Sequence, residues 1–288
     1  VPASSLALIA VAAVMHATWN LAAKKAQGGQ LFLVLCALCT LVIYALPVAF
    51  VIAQHGLPTR GSAWVAIFVS GLIHLAYFSI LQKGYREADL SVVYPVARGT
   101  GPLVSILLAV SLLKERPSPQ AWCGALVVIS GVFLLAGGAA LLRSRDARAR
   151  AGLFWGSCTG LLIAGYTVVD GYAVRALAVA PLLLDYGGQL MRVGLSAPHA
   201  LGQRADLRRE WRRTWRHALV IAVLGPLGYL LVLLAMQTTP ISYVAPAREL
   251  SMLVGAFFGA HLLAEGEVKR RLVCAGIIAV GVLLIALG

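Results

Sequence analysis

Long apolar runs separated by short polar breaks fill the chain from Val1 to Gly288. A helix needs about 20 apolar residues to cross a bilayer. The runs predict ten such spans, at roughly 4–23, 30–53, 62–82, 91–113, 119–140, 152–174, 178–200, 217–237, 241–263 and 268–288. The two longest connections, 141–151 and 201–216, carry four and six arginines and are expected to be loops. The pattern also repeats. The stretch from Tyr94 to Ala136 returns 150 residues later without a gap, placing Arg98 on Arg248, Glu115 on Glu265 and Gly131 on Gly281. Five spans per copy is an odd number, so the second copy must enter the membrane in the opposite sense. The expected fold is an all-α membrane protein. It has ten transmembrane helices as two inverted five-helix repeats, 1–140 and 152–288, joined by the basic linker 141–151.

Span four is expected to break near its start, at Pro95, Gly99, Gly101 and Pro102. Lipid tolerates a broken helix only where protein or a water-filled cavity satisfies the freed backbone groups. Breaks at matching places in two repeats point to a transporter's binding site.

Composition excludes an ordinary soluble domain: 60% of residues are hydrophobic, 12% are charged and the mean hydropathy is +0.86. The net charge of +13 does not indicate a nucleic-acid partner, because the basic residues lie between spans. Seventeen of the 24 Lys and Arg fall in or beside the connections after spans one, three, five, seven and nine, and four in the others. The positive-inside rule then puts loops 141–151 and 201–216 in the cytoplasm and both termini outside. Cys36, Cys39, Cys123, Cys158 and Cys274 all lie in apolar segments, so they read as helix-packing residues rather than a disulfide framework. The first span does not read as a cleavable leader.

Ionisable groups inside spans cost about 2.5–3.5 kcal/mol each on insertion scales, so each is expected to face the interior or a partner. Arg98 and Arg248 occupy one repeat position and are candidates to hold a substrate carboxylate; the alternative is a cap on the broken helix. Glu249 is placed to reach Arg98 across the pseudo-symmetry axis, as a latch or as a site for a substrate ammonium. His16, Trp19 and Asn20 share one face of span one, and Tyr166, Val169 and Asp170 take the matching positions on span six. Span three adds His74, Tyr77, Phe78 and Gln82, span eight adds Tyr229, and the breaks add Tyr94 and Tyr243. Such an aromatic pocket with one or two charges suits a medium-sized amphipathic molecule. Asp185, Gln189 and Arg192 lie along one face of span seven and predict a structural salt bridge between the Asp and the Arg. Glu115 and Glu265 are expected to anchor the turns into spans five and ten. Small-residue stripes at Gly152, Gly156, Gly160 and Ala164, and at Gly255 and Gly259, predict close helix packing within the monomer.

The pattern PVAR … LLKERPSPQ … GALVVISGVFLL resembles the repeat of EamA-type proteins of the drug/metabolite transporter superfamily. The second copy, with Glu265, Gly276 and Gly281, resembles the same repeat, departing from it where Gly266, Glu267 and Val268 replace Arg-Pro-Ser. The likeness covers nearly the whole chain and is nearest to bacterial exporters of amino acids and other metabolites, aromatic amino acids included. The resemblance implies an inner-membrane carrier working by alternating access, with a cavity lined by spans one, three, four, six, eight and nine. Its expected partners are a small amphipathic metabolite and the lipid bilayer, with a functional monomer, no cofactor and no metal.

Two other readings stay open. One is proton-coupled multidrug efflux, for which Asp170, Glu249, His16 or His74 would have to titrate; facilitated export needs none of them and is the simpler expectation. The other is a membrane-embedded lipid-modifying enzyme. No nucleophile–base pair, HExxH motif or paired carboxylates stand at a readable spacing, so an enzyme is not expected.

Overall fold

The computed structural model describes residues 1–135, 137–138, 146–255 and 268–288, and every regular element among them is a helix. The helices are α1 (Ala3–Ala26), α2 (Gln30–His55), α3 (Gly61–Glu87), α4 (Leu90–Leu112), α5 (Pro119–Leu135), α6 (Ala147–Arg175), α7 (Pro181–Gly202), α8 (Arg204–Thr238), α9 (Ile241–Ala247) and α10 (Val268–Leu287). Six of them, α1, α2, α3, α4, α6 and α8, are long and apolar enough to cross a membrane. Val42, Leu46 and Phe50 form an i, i+4, i+8 stripe on α2 that is 77%, 81% and 65% exposed. An apolar stripe of this kind turned outward suits lipid rather than water. Glu265 and Gly259, and the linker from 141 to 145, lie outside the described residues.

Several helix contacts are matched when each helix is exchanged with the one five places along. The α1–α8 contact is matched by α6–α3, and α2–α8 by α7–α3, while α5 and α10 pair with each other. At that last crossing a Cβ on Gly281 would lie 2.7 Å from the Gly124 carbonyl oxygen, and one on Gly131 would lie 3.2 Å from that of Cys274. Gly124 and Cys274 are one repeat position, and Gly131 and Gly281 another, so the two approaches are one contact seen from each half. Only glycine lets two backbones come this close. The span-six stripe packs inside the monomer, as expected: a Cβ on Gly160 would sit 3.0 Å from the Ala97 oxygen of α4. Among the described residues nothing lies within 4 Å of a Cβ on Gly255.

Three expectations change. First, the 201–216 segment is not a loop, since α8 starts at Arg204 and runs for 35 residues. Arg, Leu and Glu are strong helix formers, and Arg213 pairs with Glu210 at 2.9 Å and Arg209 with Asp206 at 3.8 Å, both at i, i+3. Second, α6 begins ahead of its apolar run, where the Asp146 carboxylate accepts from the backbone N–H of Arg148 and Ala149.

Third, the break falls in the second copy alone. Helix α4 runs through Pro95 and Pro102 without interruption, held against α6 by the glycine contacts above. In the second copy α9 ends at Ala247, residues 248–249 form a turn, and 250–255 are helical again. Pro246 stands at this break, and the chain tightens there into i→i−3 bonds: Glu249 N to Pro246 O, Ser251 N to Arg248 O and Met252 N to Glu249 O.

Candidate functional site

The tight turn after α9 sets out three polar side chains in the middle of the bundle. Glu249 points to α4, where its Oε2 lies 2.9 Å from Arg98 Nε; Ser251 Oγ takes a second bond from Arg98 Nη2 at 3.0 Å. Arg98 is therefore held by protein partners at both Nε and Nη2. Its repeat mate Arg248 is not. Arg248 donates to Thr167 Oγ1 at 3.4 Å, sits 5.6 Å from the Tyr229 ring centre, and forms no ion pair among the described residues.

Arg248 faces a cavity of about 580 Å³, a volume within the ordinary range for small-molecule sites. An aromatic cluster makes one wall. His74 stacks on Tyr166 at 4.0 Å, Tyr229 meets His74 edge-on at 5.7 Å, and Tyr77 meets Phe78 at 4.9 Å and Tyr166 at 5.8 Å. His74 Nδ1 lies 3.0 Å from the Ser70 carbonyl oxygen and 3.3 Å from the Ser70 hydroxyl. On α1, His16 and Trp19 meet edge-on at 4.9 Å and both line the cavity.

Of the residues expected at the substrate site, His16, Trp19, His74, Tyr77, Phe78, Gln82, Arg98, Tyr166, Tyr229 and Arg248 line this cavity. The others lie elsewhere. Asn20 donates its amide to the His16 carbonyl oxygen of its own helix, 2.7 Å away. Tyr94 packs against the main core cluster. Tyr243 accepts from the Ser118 N–H at 3.0 Å near the far end of the bundle. Glu249 is behind Arg98, and Asp170 is sealed behind Tyr229, whose hydroxyl donates to Asp170 Oδ2.

Two walls were not expected. Helix α2 contributes Gln30, Phe32 and Thr40, and α7 contributes Asp185, Gln189, Arg192 and Ser196. The expected Asp185–Arg192 salt bridge does not form. Arg192 instead lays its guanidinium over Phe78, 4.5 Å from the ring centre, and its Nε has no hydrogen-bond partner among the described residues. Asp185 and Arg192 stand seven apart, about 10 Å along the helix, and the Phe78 ring takes the guanidinium instead. The signal was in the sequence. Four polar residues at i, i+4, i+7 and i+11 of an apolar span mark a face that avoids lipid.

The lining runs from Ile9 to Ala23 on α1, from Gln30 to Thr40 on α2, from His74 to Arg86 on α3, from Asp185 to Ser196 on α7 and from Ile221 to Val232 on α8. Ala23, Gly29, Gln30 and Arg86 carry the lining to the end of the bundle that bears Lys24 and Lys25. The opposite face is closed by side chains. Thr239 Oγ1 donates to Ser5 Oγ at 2.7 Å. Glu115, expected to anchor the turn into α5, caps α9 of the other half, accepting 2.9 Å bonds from the N–H of Ile241 and Ser242. Its Oε1 also lies 3.5 Å from Arg175 Nη1. A carboxylate is the natural partner for free N–H groups at a helix start, which draws Glu115 across to the second half.

The model of the EamA-like transporter family matches residues 3–137 and again residues 150–287. The chain belongs to the EamA-like transporter family. The EamA repeat is thus present twice, in a chain whose described residues include six helices long and apolar enough to cross a membrane. It is 24% identical over 114 residues to the "Uncharacterized transporter YwfM" of Bacillus subtilis (strain 168), a match to 40% of this chain and 37% of that protein. A solved crystal structure shares the fold of this EamA chain, with a TM-score of 0.77 at 18% identity, over 100% of this chain and 99% of the other.

Proposed function

We propose that this EamA protein is a secondary transporter of the bacterial inner membrane. It has ten spans in two inverted repeats, 1–140 and 152–288, and exports small amphipathic metabolites, amino acids first among them. The observation that carries this reading is Arg248: a guanidinium on the wall of an aromatic cavity, without an ion-pair partner among the described residues, while its repeat mate Arg98 is neutralised by Glu249. A free guanidinium holds a carboxylate by paired hydrogen bonds. Asp185 on the facing α7 wall offers a place for an ammonium group, and the Tyr77, Tyr166 and Tyr229 rings accept an apolar side chain.

The cavity opens at the basic face, which the positive-inside rule assigns to the cytoplasm. A carrier resting in that state is ready to load from within, as an exporter must. Exchanging the conformations of the two halves would close the basic face and open the other. One chain holds the whole pathway, so a monomer suffices.

The test is uptake into proteoliposomes of labelled amino acids, a lipophilic cation and a sugar. Saturable uptake of phenylalanine and other amino acids that an Arg248→Ala protein of normal folding lacks supports the reading. Uptake of the cation alone would make the protein a drug exporter.

A further inference from the structure

Behind the aromatic wall lies a second, much smaller pocket of about 10 Å³, the room of a single water. It is lined by Ser70 and His74 of α3, Asp170 of α6, Leu184, Asp185, Gly188 and Arg192 of α7, and Tyr229 of α8. Four of these, His74, Asp185, Arg192 and Tyr229, also line the large cavity. One layer of side chains therefore separates the two spaces.

Asp170 is the group that this pocket isolates. It is 0% exposed. Its Oδ2 accepts from the Tyr229 hydroxyl, and its Oδ1 has no hydrogen-bond partner among the described residues. The charges around it do not neutralise it. Arg248 lines the large cavity and not this pocket, and forms no ion pair with Asp170. Arg192 shares the pocket with Asp185 but is turned over Phe78. His74 Nδ1 is engaged by Ser70 of its own helix. Helix α4, which also packs on α6, has its Arg98 held by Glu249. An ionised carboxylate sealed from water with one bare oxygen loses its hydration and regains a single hydrogen bond, a cost of several kcal/mol. A proton on Oδ1 removes the charge and turns the bare oxygen into a donor aimed at the water-sized space.

We propose that Asp170 is a proton-binding site of the transport cycle. The proton is taken from water when the pocket opens to one side, carried while the pocket is sealed as it is here, and released to water on the other side. Export is then exchange of substrate for a proton. A metal cation does not suit the same space, because the Arg192 guanidinium is part of its lining. The coupling, though not the proton site itself, rests on the transport reading of the cavity.

Two measurements separate these claims. The first needs no substrate: infrared difference spectra of the purified protein, titrated in water and in deuterium oxide. A protonated-carboxyl band that titrates in the wild type and is missing in Asp170→Asn is expected; a wild type without that band overturns the proton site. The second is labelled phenylalanine uptake into proteoliposomes with the membrane potential clamped. With one proton exchanged per phenylalanine, an inside-acid gradient of one pH unit accumulates it about tenfold. Asp170→Asn should show the same uptake with and without the gradient, and Asp170→Glu should keep a response. Phenylalanine carried by the wild type with no response to pH, or with a response to a sodium gradient instead, overturns the coupling. A titrating band with no phenylalanine transport leaves the proton site standing and removes the amino-acid reading.

Discussion

Neutralising Glu249 should destabilise this protein more than any exposed charge change, and the Arg98–Glu249 geometry gives the size. The pair is 2.9 Å apart with side chains 9% and 3% exposed, and it ties α4 of the first half to the turn after α9 in the second. Glu249→Gln keeps the shape but leaves the buried Arg98 guanidinium with neutral acceptors and no counter-charge. Breaking a buried pair by removing one partner costs about 3–5 kcal/mol, because the other charge is left without compensation. Arg98→Met should cost a similar amount for the same reason. The double variant leaves no buried charge behind, so its loss should fall well short of the sum, with a coupling of up to about 3 kcal/mol. The assay is unfolding of the purified protein in mixed micelles, followed by tryptophan fluorescence, for the wild type, both single variants and the double variant. Single losses below about 1 kcal/mol, or losses that simply add, would refute the picture of a desolvated pair joining the halves and return Arg98 to the list of substrate contacts.

Arg248→Ala should abolish uptake of carboxylate-bearing substrates while the unfolding midpoint stays close to wild type; normal uptake by the well-folded variant would sink the carboxylate clamp. Trp19→Ala should reduce transport of bulky amino acids more than small ones, read from competition by phenylalanine and alanine, and equal losses would mean that Trp19 only packs. Gly281→Leu should separate α5 from α10, since the added Cβ would lie 2.7 Å from the Gly124 oxygen. Overpacking of this kind costs about 1–3 kcal/mol, and an unchanged unfolding curve would show that the crossing has room to spare.

Much of the fold was legible because a bilayer imposes a length and a composition on each span. The starts at Gln30, Leu90 and Pro119 fall within a residue of where apolar length places them. The 150-residue offset was also plain, since Arg98, Glu115 and Gly131 needed no gap to meet their counterparts. Ends marked by charge were harder to read. The α8 arginines look like a loop, yet their propensity and i, i+3 pairs carry the helix out beyond the membrane.

Within the site, the sequence by itself determined which helices carry polar and aromatic stripes, because a period of 3.6 residues puts His74, Phe78 and Gln82 on one face whatever the packing. It also determined that Arg98 and Arg248 are repeat mates and that Glu249 stands where Arg98 could reach it. Only the tertiary structure decided that the two arginines part company, one bound to Glu249 and the other turned to the cavity. Only there do α2 and α7 become walls, Asp170 pass behind Tyr229, and Glu115 cross to α9. Spacing along a helix fixes which side chains point the same way. Which space that face meets, lipid, water or a neighbouring half, depends on the rotation and crossing of every other helix in the bundle.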